Sequence, residues 1–599
     1  MFRGRELNKV ALHALCGVTL FIAGVPVWAA DAVTINLEGV ENGELRKNIL
    51  AYLSLEQQKS LPRLSANRIK QLHKLAPEEI KKAVQPFGYY RVSVTPVLTA
   101  PNAQEQPWQA QYSIDLGKPV TLQRVELQML GEGKDDPELQ AQAAKFPLKI
   151  NDLLVHSKYE QGKRALRNLA EERGYFHAQF TQQRVEVDEA AGTAQILLRF
   201  ETGKRSRFGA VNFQQNMFEE SVLQRFMTFQ SQDFYSGTQL LGLRNALVDS
   251  DYFEEVDIDA PRPDPQHSEI PVTVKLKPRP LNKYYAGLGY GTDTGPRGSL
   301  GWERRQINRW GHRFSLDAQL SQIRNAATAR YYIPTGSNKD DFYAISTGYK
   351  DEHTKTSDNK TLIASAGLNQ NRTLWGDVKV RELLALEYRD ERYSIAGENG
   401  HSRLLMPTLS WTYVQADDRI YTRRGQKVQW ELRGAMDKVV SNTSFVQTKL
   451  SGIVIRSVGE SGRILLRGDM GYTYIPQNLS GDFNELPVSV RFFAGGDRSV
   501  RGYDYNSLGS KNTAGLVVGA KNLLVGSAEY EHRILDKWSL AAFYDVGNAL
   551  NSFNTPLKHG TGVGVRWQSP VGLIRVDVAT ALSEPGKPLR LHVTIGPDL

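Results

Sequence analysis

The sequence predicts a membrane all-β fold, in which a 16-stranded transmembrane β-barrel follows three small α/β modules. Three observations predict this organisation. The chain begins like an export signal, it has no later apolar run long enough for a transmembrane helix, and its periodicity changes near residue 280 from mixed helical and strand patterns to alternating strands alone. A closed barrel suits such a chain, because it hydrogen-bonds every strand edge within the membrane.

The segment 1–29 has the pattern of a signal peptide. An apolar run from 14 to 23 follows basic residues, and the small residues Val27 and Ala29 occupy the third-last and last positions before a cleavage site. A retained membrane anchor is the alternative, but the run is shorter than the roughly 18–20 residues that a spanning helix needs. Cys16, the one cysteine of the chain, lies in this segment, so we expect no disulfide in the exported protein.

The charge of the chain does not favour nucleic acid as a partner. The formal net charge is +9 at pH 7, but acidic and basic residues are interleaved along the predicted strands, and an exported protein rarely meets nucleic acid. We interpret the excess of positive charge as a property of a solvated surface that lies close to anionic lipid.

No motif favours an enzyme. The sequence has neither a phosphate-binding G-x-x-x-x-G-K-[ST] loop nor an H-E-x-x-H zinc motif. The closest approach to a nucleophile elbow surrounds Ser365, but Ile363 replaces its first glycine and the segment lies in a predicted strand. We therefore expect no catalytic residue, no cofactor and no metal.

Internal repetition defines the modules before residue 280. Gly88-Tyr89 recurs 86 residues later as Gly174-Tyr175, and Gly117 recurs as Gly203 at the same interval. A looser third copy has Asp251 before Tyr252. In each copy a predicted helix precedes the aromatic residue and an alternating strand follows it. The predicted modules are 31–116, 117–202 and 203–279.

Helix starts within the modules have readable signals. Ser157 and Glu160 have the spacing of a capping box, in which the serine oxygen and the glutamate bind amides of the first helical turn. Pro77, followed by two glutamates, suits the first turn of the corresponding helix in the first module.

The segment 280–599 predicts the barrel. Residues from Trp538 to Asp545 alternate, with Trp538 and Tyr544 on the apolar face and Phe543 with Asp545 on the inner face. A soluble sandwich also alternates, but it does not repeat this pattern over so long a segment with so many Gly, Tyr and Trp. The predicted strands begin near 283, 297, 311, 326, 340, 361, 377, 402, 425, 444, 462, 514, 538, 560, 572 and 589.

A connection from Leu486 to Leu524 is too long for a routine turn and is a candidate functional loop. It contains Val500, Arg501, Gly502 and Tyr503. This tetrapeptide resembles the Val-Arg-Gly-Phe/Tyr tip of a loop that folds back into the barrel in the superfamily of outer-membrane assembly barrels with POTRA domains, which includes BamA-like, TamA-like and two-partner secretion proteins.

Two further segments are similar to patterns of that superfamily. Glu529 ends a glycine-to-glutamate pattern in one strand, and Phe543 and Asp545 belong to a Phe-x-Asp-x-Gly pattern in the next. Alternation directs these three side chains into the lumen. The resemblance implies that Arg501 anchors the loop on the carboxylates, which a planar guanidinium can bind with two parallel hydrogen bonds.

The seam between the first and last strands should be the weakest pairing in the barrel. Gly287, Gly289 and Gly291 leave the first strand with little side-chain packing, and Gly596 follows a short last strand. We expect the barrel to open laterally at this seam.

The resemblance implies a location in the cell outer membrane with POTRA-like modules in the periplasm. A count of three modules favours the TamA-like type, an assembly factor that helps insert or translocate exported proteins such as autotransporters. This type implies a TamB-like partner anchored in the inner membrane, unfolded clients and outer-membrane lipid. A two-partner secretion transporter and a passive porin are the alternatives.

Overall fold

The computed structural model describes residues 33–61, 64–102, 106–264, 268–418, 421–476, 483, 486–569, 572–596 and 598. The predicted signal segment 1–29, with Cys16, lies outside these residues. The chain divides into two compact units. One unit consists of Met1–Arg207, Phe234–Gly237 and Arg262–Ser268, and the other consists of Phe208–Asp233, Thr238–Pro261 and Glu269–Leu599.

Three modules precede the barrel, as predicted. The first contains β1 (Val33–Glu38), α1 (Gly43–Tyr52), α2 (Ser54–Gln58), α3 (Ala66–Val84), β2 (Ser93–Thr99) and β3 (Trp108–Asp115). The second contains β4 (Thr121–Leu130), α4 (Pro137–Ala144), α5 (His156–Glu172), β5 (Gln179–Asp188) and β6 (Thr193–Glu201). The third contains β7 (Arg207–Gln214), α6 (Glu220–Gln224), α7 (Gly237–Asp249), β8 (Phe253–Asp259) and β9 (Glu269–Pro278). The sheet orders β1-β3-β2, β4-β6-β5 and β7-β9-β8 share one topology.

The repeated glycine-aromatic pairs mark equivalent turns. Gly88, Gly174 and Asp251 follow the long helix of each module and have φ angles of 93°, 90° and 63°. This left-handed conformation ends a helix and turns the chain toward the next strand. The third copy therefore uses aspartate where the first two use glycine, which explains why it is harder to recognise in the sequence.

Each module has a hydrophobic core between its sheet and its helices. In β6, Ala194, Ile196, Leu198 and Phe200 are buried at every second position, as expected for a strand with one face toward the core. The buried residues of the first and second modules form two separate clusters, and the third module buries residues such as Phe208, Leu243 and Val272.

Two predicted helix starts are wrong. Helix α5 begins at His156 after Val155, without a side-chain cap, and Glu160 instead binds Lys163 Nζ at 2.8 Å. Pro77 lies inside α3 rather than in its first turn. Proline removes one backbone hydrogen bond at that point, but the buried face of this 19-residue helix holds it together.

The barrel closes as 16 antiparallel strands, which confirms the predicted fold class. The strands that follow β9 are β10 (Asn282–Gly291), β11 (Gly295–Arg304), β12 (Arg313–Ser321), β13 (Arg324–Pro334), β14 (Phe342–His353), β15 (Ser357–Leu374), β16 (Val378–Ile395), β17 (Glu398–Ala416), β18 (Gly425–Ala435), β19 (Phe445–Val458), β20 (Gly462–Tyr474), β21 (Ser510–Lys511), β22 (Val517–Gly519), β23 (Asn522–Leu535), β24 (Trp538–Leu550), β25 (Lys558–Ser569), β26 (Gly572–Ala581) and β27 (Leu589–Ile595). Among the described strands, β21 and β22 form a separate two-stranded sheet that is not part of the barrel wall.

One predicted strand start is clearly wrong. The twelfth barrel strand, β23, begins at Asn522 rather than near 514, because the alternating residues before it form the small β21–β22 hairpin. The predicted loop also needs correction, since Leu524 belongs to β23 and β20 ends at Tyr474. The long connection is therefore 475–521, which we call the lumen loop.

The barrel strands alternate as predicted and differ greatly in length. Between Trp538 and Asp545, exposed residues alternate with buried ones, and Asp545 is buried. β15, β16 and β17 have 18, 18 and 19 residues, whereas β27 has 7. Among the described helices, none is both long and apolar enough to be a membrane span.

We expect the fragment 31–277 to fold without the barrel, because each module has its own sheet and buried core. The isolated fragment should be soluble and should give a circular dichroism spectrum of mixed helix and strand. A spectrum with strand signal alone would contradict the three-module organisation.

Candidate functional site

The described part of the lumen loop from Phe492 to Leu508 packs against the inner wall of the last barrel strands. Val500 and Tyr503 are 0% and 5% exposed, and they belong to a buried cluster that includes Leu523 of β23 and Ala581 of β26. The Tyr503 hydroxyl donates to the backbone oxygen of His559 at 3.3 Å. Apolar contacts therefore hold both sides of the Val-Arg-Gly-Tyr segment in place.

Arg501 lies between these apolar neighbours and binds three carboxylates. Its Nε and Nη2 donate to the two oxygens of Asp545 at 2.8 and 3.0 Å. Its Nη1 donates to Glu529 Oε2 at 2.7 Å and to Asp577 Oδ2 at 3.2 Å. The Arg501 side chain is 6% exposed and that of Asp545 is 0% exposed. The structure thus brings together the arginine and both carboxylates singled out in the sequence.

Phe543 and Gly502 complete the surroundings of this arginine. The guanidinium carbon lies 3.3 Å from the centre of the Phe543 ring, in the position of a cation–π contact. Gly502 has a φ of 95°, and a Cβ there would lie 2.8 Å from the backbone of Thr580 and Ala581. A side chain at position 502 would therefore push the loop away from β26.

The sequence did not reveal the second layer of this ion cluster. Arg566 Nη2 donates to Glu529 Oε1 at 2.6 Å, and its Nη1 donates to Asp577 Oδ1 at 2.5 Å. Arg566 Nε also lies 3.4 Å from Glu531, which accepts from Arg463 at 2.7 Å. The signal that could have revealed them is a charged residue at an inward position of a barrel strand, since such residues need partners.

Asp598 extends the ion cluster to the segment beyond the last strand. Its carboxylate accepts from Arg463 Nη1 at 2.6 Å and from Arg575 Nη2 at 2.5 Å. It also accepts from the backbone amide of Thr422 at 3.0 Å. Alternating positive and negative groups therefore link the lumen loop to strands β20, β23, β24, β25 and β26.

The seam glycines lie on β10, but their surroundings differ. A Cβ at Gly287 or Gly289 would lie 2.6 Å from Ser299 Oγ or 2.5 Å from Arg297 Nε, so side chains from β11 cover them. Gly291 pairs with Thr594 of β27. Gly596 instead donates its amide to Leu573 on β26 at 3.0 Å, on the side away from β10.

Strand pairing at the seam is thin. All residues of β10 from Asn282 to Gly291 pair with β11, but only Gly291 pairs with β27. By contrast, β26 and β27 pair from Ile574 to Thr580. In the part of the chain that the structure describes, the other edge of β10 from Asn282 to Tyr290 has no strand partner.

Beside the seam, Asp293, Asp497 and His592 bring side-chain oxygen and nitrogen atoms within 4.8 Å of one another. These atoms also hydrogen-bond within the group, which accounts for their closeness without an ion. Burial and the negative charge of Asp497 raise the pKa of Asp293, in the turn between β10 and β11, to about 6. We assign no metal or cofactor to this group.

Arg501→Ala should destabilise the barrel by about 3 kcal/mol, because it leaves Asp545 buried without its partner. Arg501→Lys should recover part of this loss, since an ammonium group lacks the bidentate fork. Unfolding midpoints in detergent measure the effect. Arg498→Ala on the same loop is the control, because the Arg498 side chain is exposed.

A double-mutant cycle tests whether Arg501 and Asp545 act through one contact. Asp545→Asn should resemble Arg501→Ala, and the double variant should be little worse than either single variant. Losses that simply add would mean that the two residues act independently.

The raised pKa of Asp293 predicts a stability change between about pH 4 and pH 6. An unfolded aspartate has a pKa of about 3.9, so folding favours protonated Asp293. Its stabilising effect is complete below about pH 4 and is lost as the pH rises through about 6. We expect Asp293→Asn to reduce this loss by about 1–2 kcal/mol. Unfolding midpoints at pH 4 and pH 7 measure it, and an unchanged pH dependence in the variant would contradict the assignment.

Family models match most of the described chain. The model for the Omp85 superfamily domain matches residues 286–598. The model for POTRA domain TamA domain 1 matches residues 34–116, and a POTRA model described as surface antigen variable number repeat matches residues 206–279.

Curated relatives and solved structures agree with this family. The chain is 24% identical over 406 residues to the outer membrane protein assembly factor BamA of Nitratidesulfovibrio vulgaris, covering 61% of this chain and 47% of that protein. It is 22% identical over 422 residues to the protein of the same name from Neorickettsia risticii, covering 66% of this chain and 55% of that protein. The chain thus spans about half the length of these relatives.

A solved structure shows the same fold. The crystal structure of BamA from Haemophilus ducreyi lacking POTRA domains 1–3 matches with a TM-score of 0.66 and 17% identity, over 80% of this chain and 99% of that one. The closed 16-stranded barrel and the superfamily match over more than half of the chain lead to one assignment. The chain belongs to the Omp85 superfamily of outer-membrane β-barrel proteins, whose N-terminal POTRA domains lie in the periplasm.

Proposed function

We propose that the chain is an outer-membrane translocation and assembly factor that helps insert or translocate exported proteins such as autotransporters. The thin seam carries this proposal. Only Gly291 of β10 pairs with β27, so the β10 edge from Asn282 to Tyr290 offers backbone donors and acceptors to another strand. A client strand that adds to this edge gains main-chain hydrogen bonds while it enters the membrane.

The TamA-like type is the form of this function that we favour. The match of residues 34–116 to POTRA domain TamA domain 1 and the count of three modules support it. This type works with a TamB-like partner anchored in the inner membrane. The curated relatives are named assembly factors, which supports the general role without selecting the type.

The alternatives have less support. A passive porin needs an open lumen, whereas Arg501 fixes the lumen loop across the inner face of β23, β24 and β26. A two-partner secretion transporter is expected to have two modules, and the described chain has three.

A disulfide across the seam tests the function. Gly291→Cys with Thr594→Cys places cysteines at the one register pair between β10 and β27, in a chain whose only native cysteine is Cys16. Because client strands must enter at the seam, the oxidised protein should lose at least about 90% of its insertion activity toward an autotransporter client in membrane vesicles. A reducing agent should restore the activity.

The matched control places the disulfide inside the continuous wall. Ser299→Cys with Gln319→Cys joins β11 to β12, which pair along their length, and should leave insertion unchanged. Full activity of the oxidised seam variant would contradict the proposed function.

A further inference from the structure

Asp497 of the lumen loop binds both strands of the seam through one carboxylate. Its Oδ1 accepts from the Thr292 hydroxyl at 2.9 Å and lies 2.6 Å from His592 Nδ1. Its Oδ2 accepts from the Asp293 amide at 3.3 Å. Thr292 and Asp293 follow β10 directly, and His592 belongs to β27. The loop therefore joins the first and last strands where their own pairing is thin.

The hydroxyl of Thr292 also takes the place of a backbone group in the ladder. The Thr292 amide donates to the Val593 oxygen at 3.0 Å, and the Val593 amide donates to Thr292 Oγ1 at 2.9 Å. The Thr292 hydroxyl proton points to Asp497. Removing the Asp497 carboxylate thus also removes the group that orients this hydroxyl toward its seam contacts.

His592 connects the same strand to a second point of the loop. Its Nε2 accepts from the Gly502 amide at 2.9 Å, so this nitrogen carries no proton. Its Nδ1 therefore carries the proton and donates it to Asp497 Oδ1. With His592 only 1% exposed, both hydrogen bonds are shielded from water, which increases the cost of breaking them.

The loop backbone is shaped for this contact. Gly496 has a φ of 106°, and a Cβ there would overlap the Asp293 carboxylate. Glycine therefore lets the Asp497 amide approach and donate to Asp293 Oδ2. The Asp497 side chain is 8% exposed, so the carboxylate is held in a nearly buried position.

We propose that Asp497 is a seam clamp, which holds β10 against β27 and releases them when the lumen loop withdraws its carboxylate. The clamp differs from the Arg501 anchor, because Arg501 binds strands β23, β24 and β26 of the continuous wall. One loop thus carries two contacts four positions apart, and only the Asp497 contact crosses the seam. The inference rests on the proposed function only where it takes seam opening as the step that admits a client.

Hydrogen exchange on the full-length exported protein in detergent micelles tests the clamp. In Asp497→Ala, peptides that contain Thr292 and Val593 should exchange at least about tenfold faster, because the seam opens more often. Peptides that contain Glu529 and Asp545 should change by less than about twofold. Asp497→Asn keeps an oxygen acceptor but loses the charge, so it should give an intermediate rate.

Two further variants make the result specific. Asp469→Ala removes another aspartate that lines the same lumen cavity but belongs to β20, and it should leave seam exchange unchanged. Thr292→Val keeps the shape of the side chain and removes the hydroxyl, so it should accelerate seam exchange even if Asp497→Ala fails to fold. Unchanged seam exchange in the folded Asp497 and Thr292 variants would overturn the proposal, as would equal acceleration at Glu529 and Asp545.

The clamp and the proposed function fail in different experiments. An active disulfide-locked seam combined with faster exchange in Asp497→Ala would refute client entry at the seam and keep the clamp. An inactive locked seam combined with unchanged exchange in Asp497→Ala would refute the clamp and keep the proposed function.

Discussion

The permanent charge of Arg501 is the constraint on which the arrangement of the lumen depends. A guanidinium cannot escape burial by losing its proton, so it needs carboxylates with suitable geometry. Asp545, Glu529 and Asp577 come from three different strands, and their inward positions are correct only in one register of β23, β24 and β26. The arginine therefore fixes the loop and favours this strand register at the same time.

Two of these carboxylates are shared between two arginines. Glu529 binds both Arg501 and Arg566, and Asp577 also binds both. If Arg501 is replaced, Arg566 still pairs with Glu529 and Asp577, whereas Asp545 loses its arginine partner and stays buried. The seam has no equivalent, because Asp497, Asp293 and His592 include two adjacent carboxylates and a neutral imidazole. Ion pairs therefore hold the loop on the continuous wall, whereas fewer and weaker polar contacts hold the seam.

Much of this architecture could be predicted from the sequence, for identifiable reasons. Alternation revealed the barrel strands because lipid and lumen impose opposite chemistry on successive side chains. The same alternation in Val517–Gly519 misplaced one strand, since a short hairpin inside a loop has the same period as a barrel strand. The contacts of Arg566, Asp577 and Asp497 could not be predicted, because strand order and loop path determine them and neither is encoded in local spacing.

The difference in strand length has a consequence for the surrounding lipid. At about 3.3 Å per residue, the 7 residues of β27 extend about 23 Å before any tilt, less than the roughly 30 Å of a typical hydrocarbon core. The 18 or 19 residues of β15–β17 exceed it on another part of the wall. A short strand of this kind favours local thinning of the bilayer beside β27. A thinner bilayer at that place lowers the barrier that an inserting polar segment has to cross.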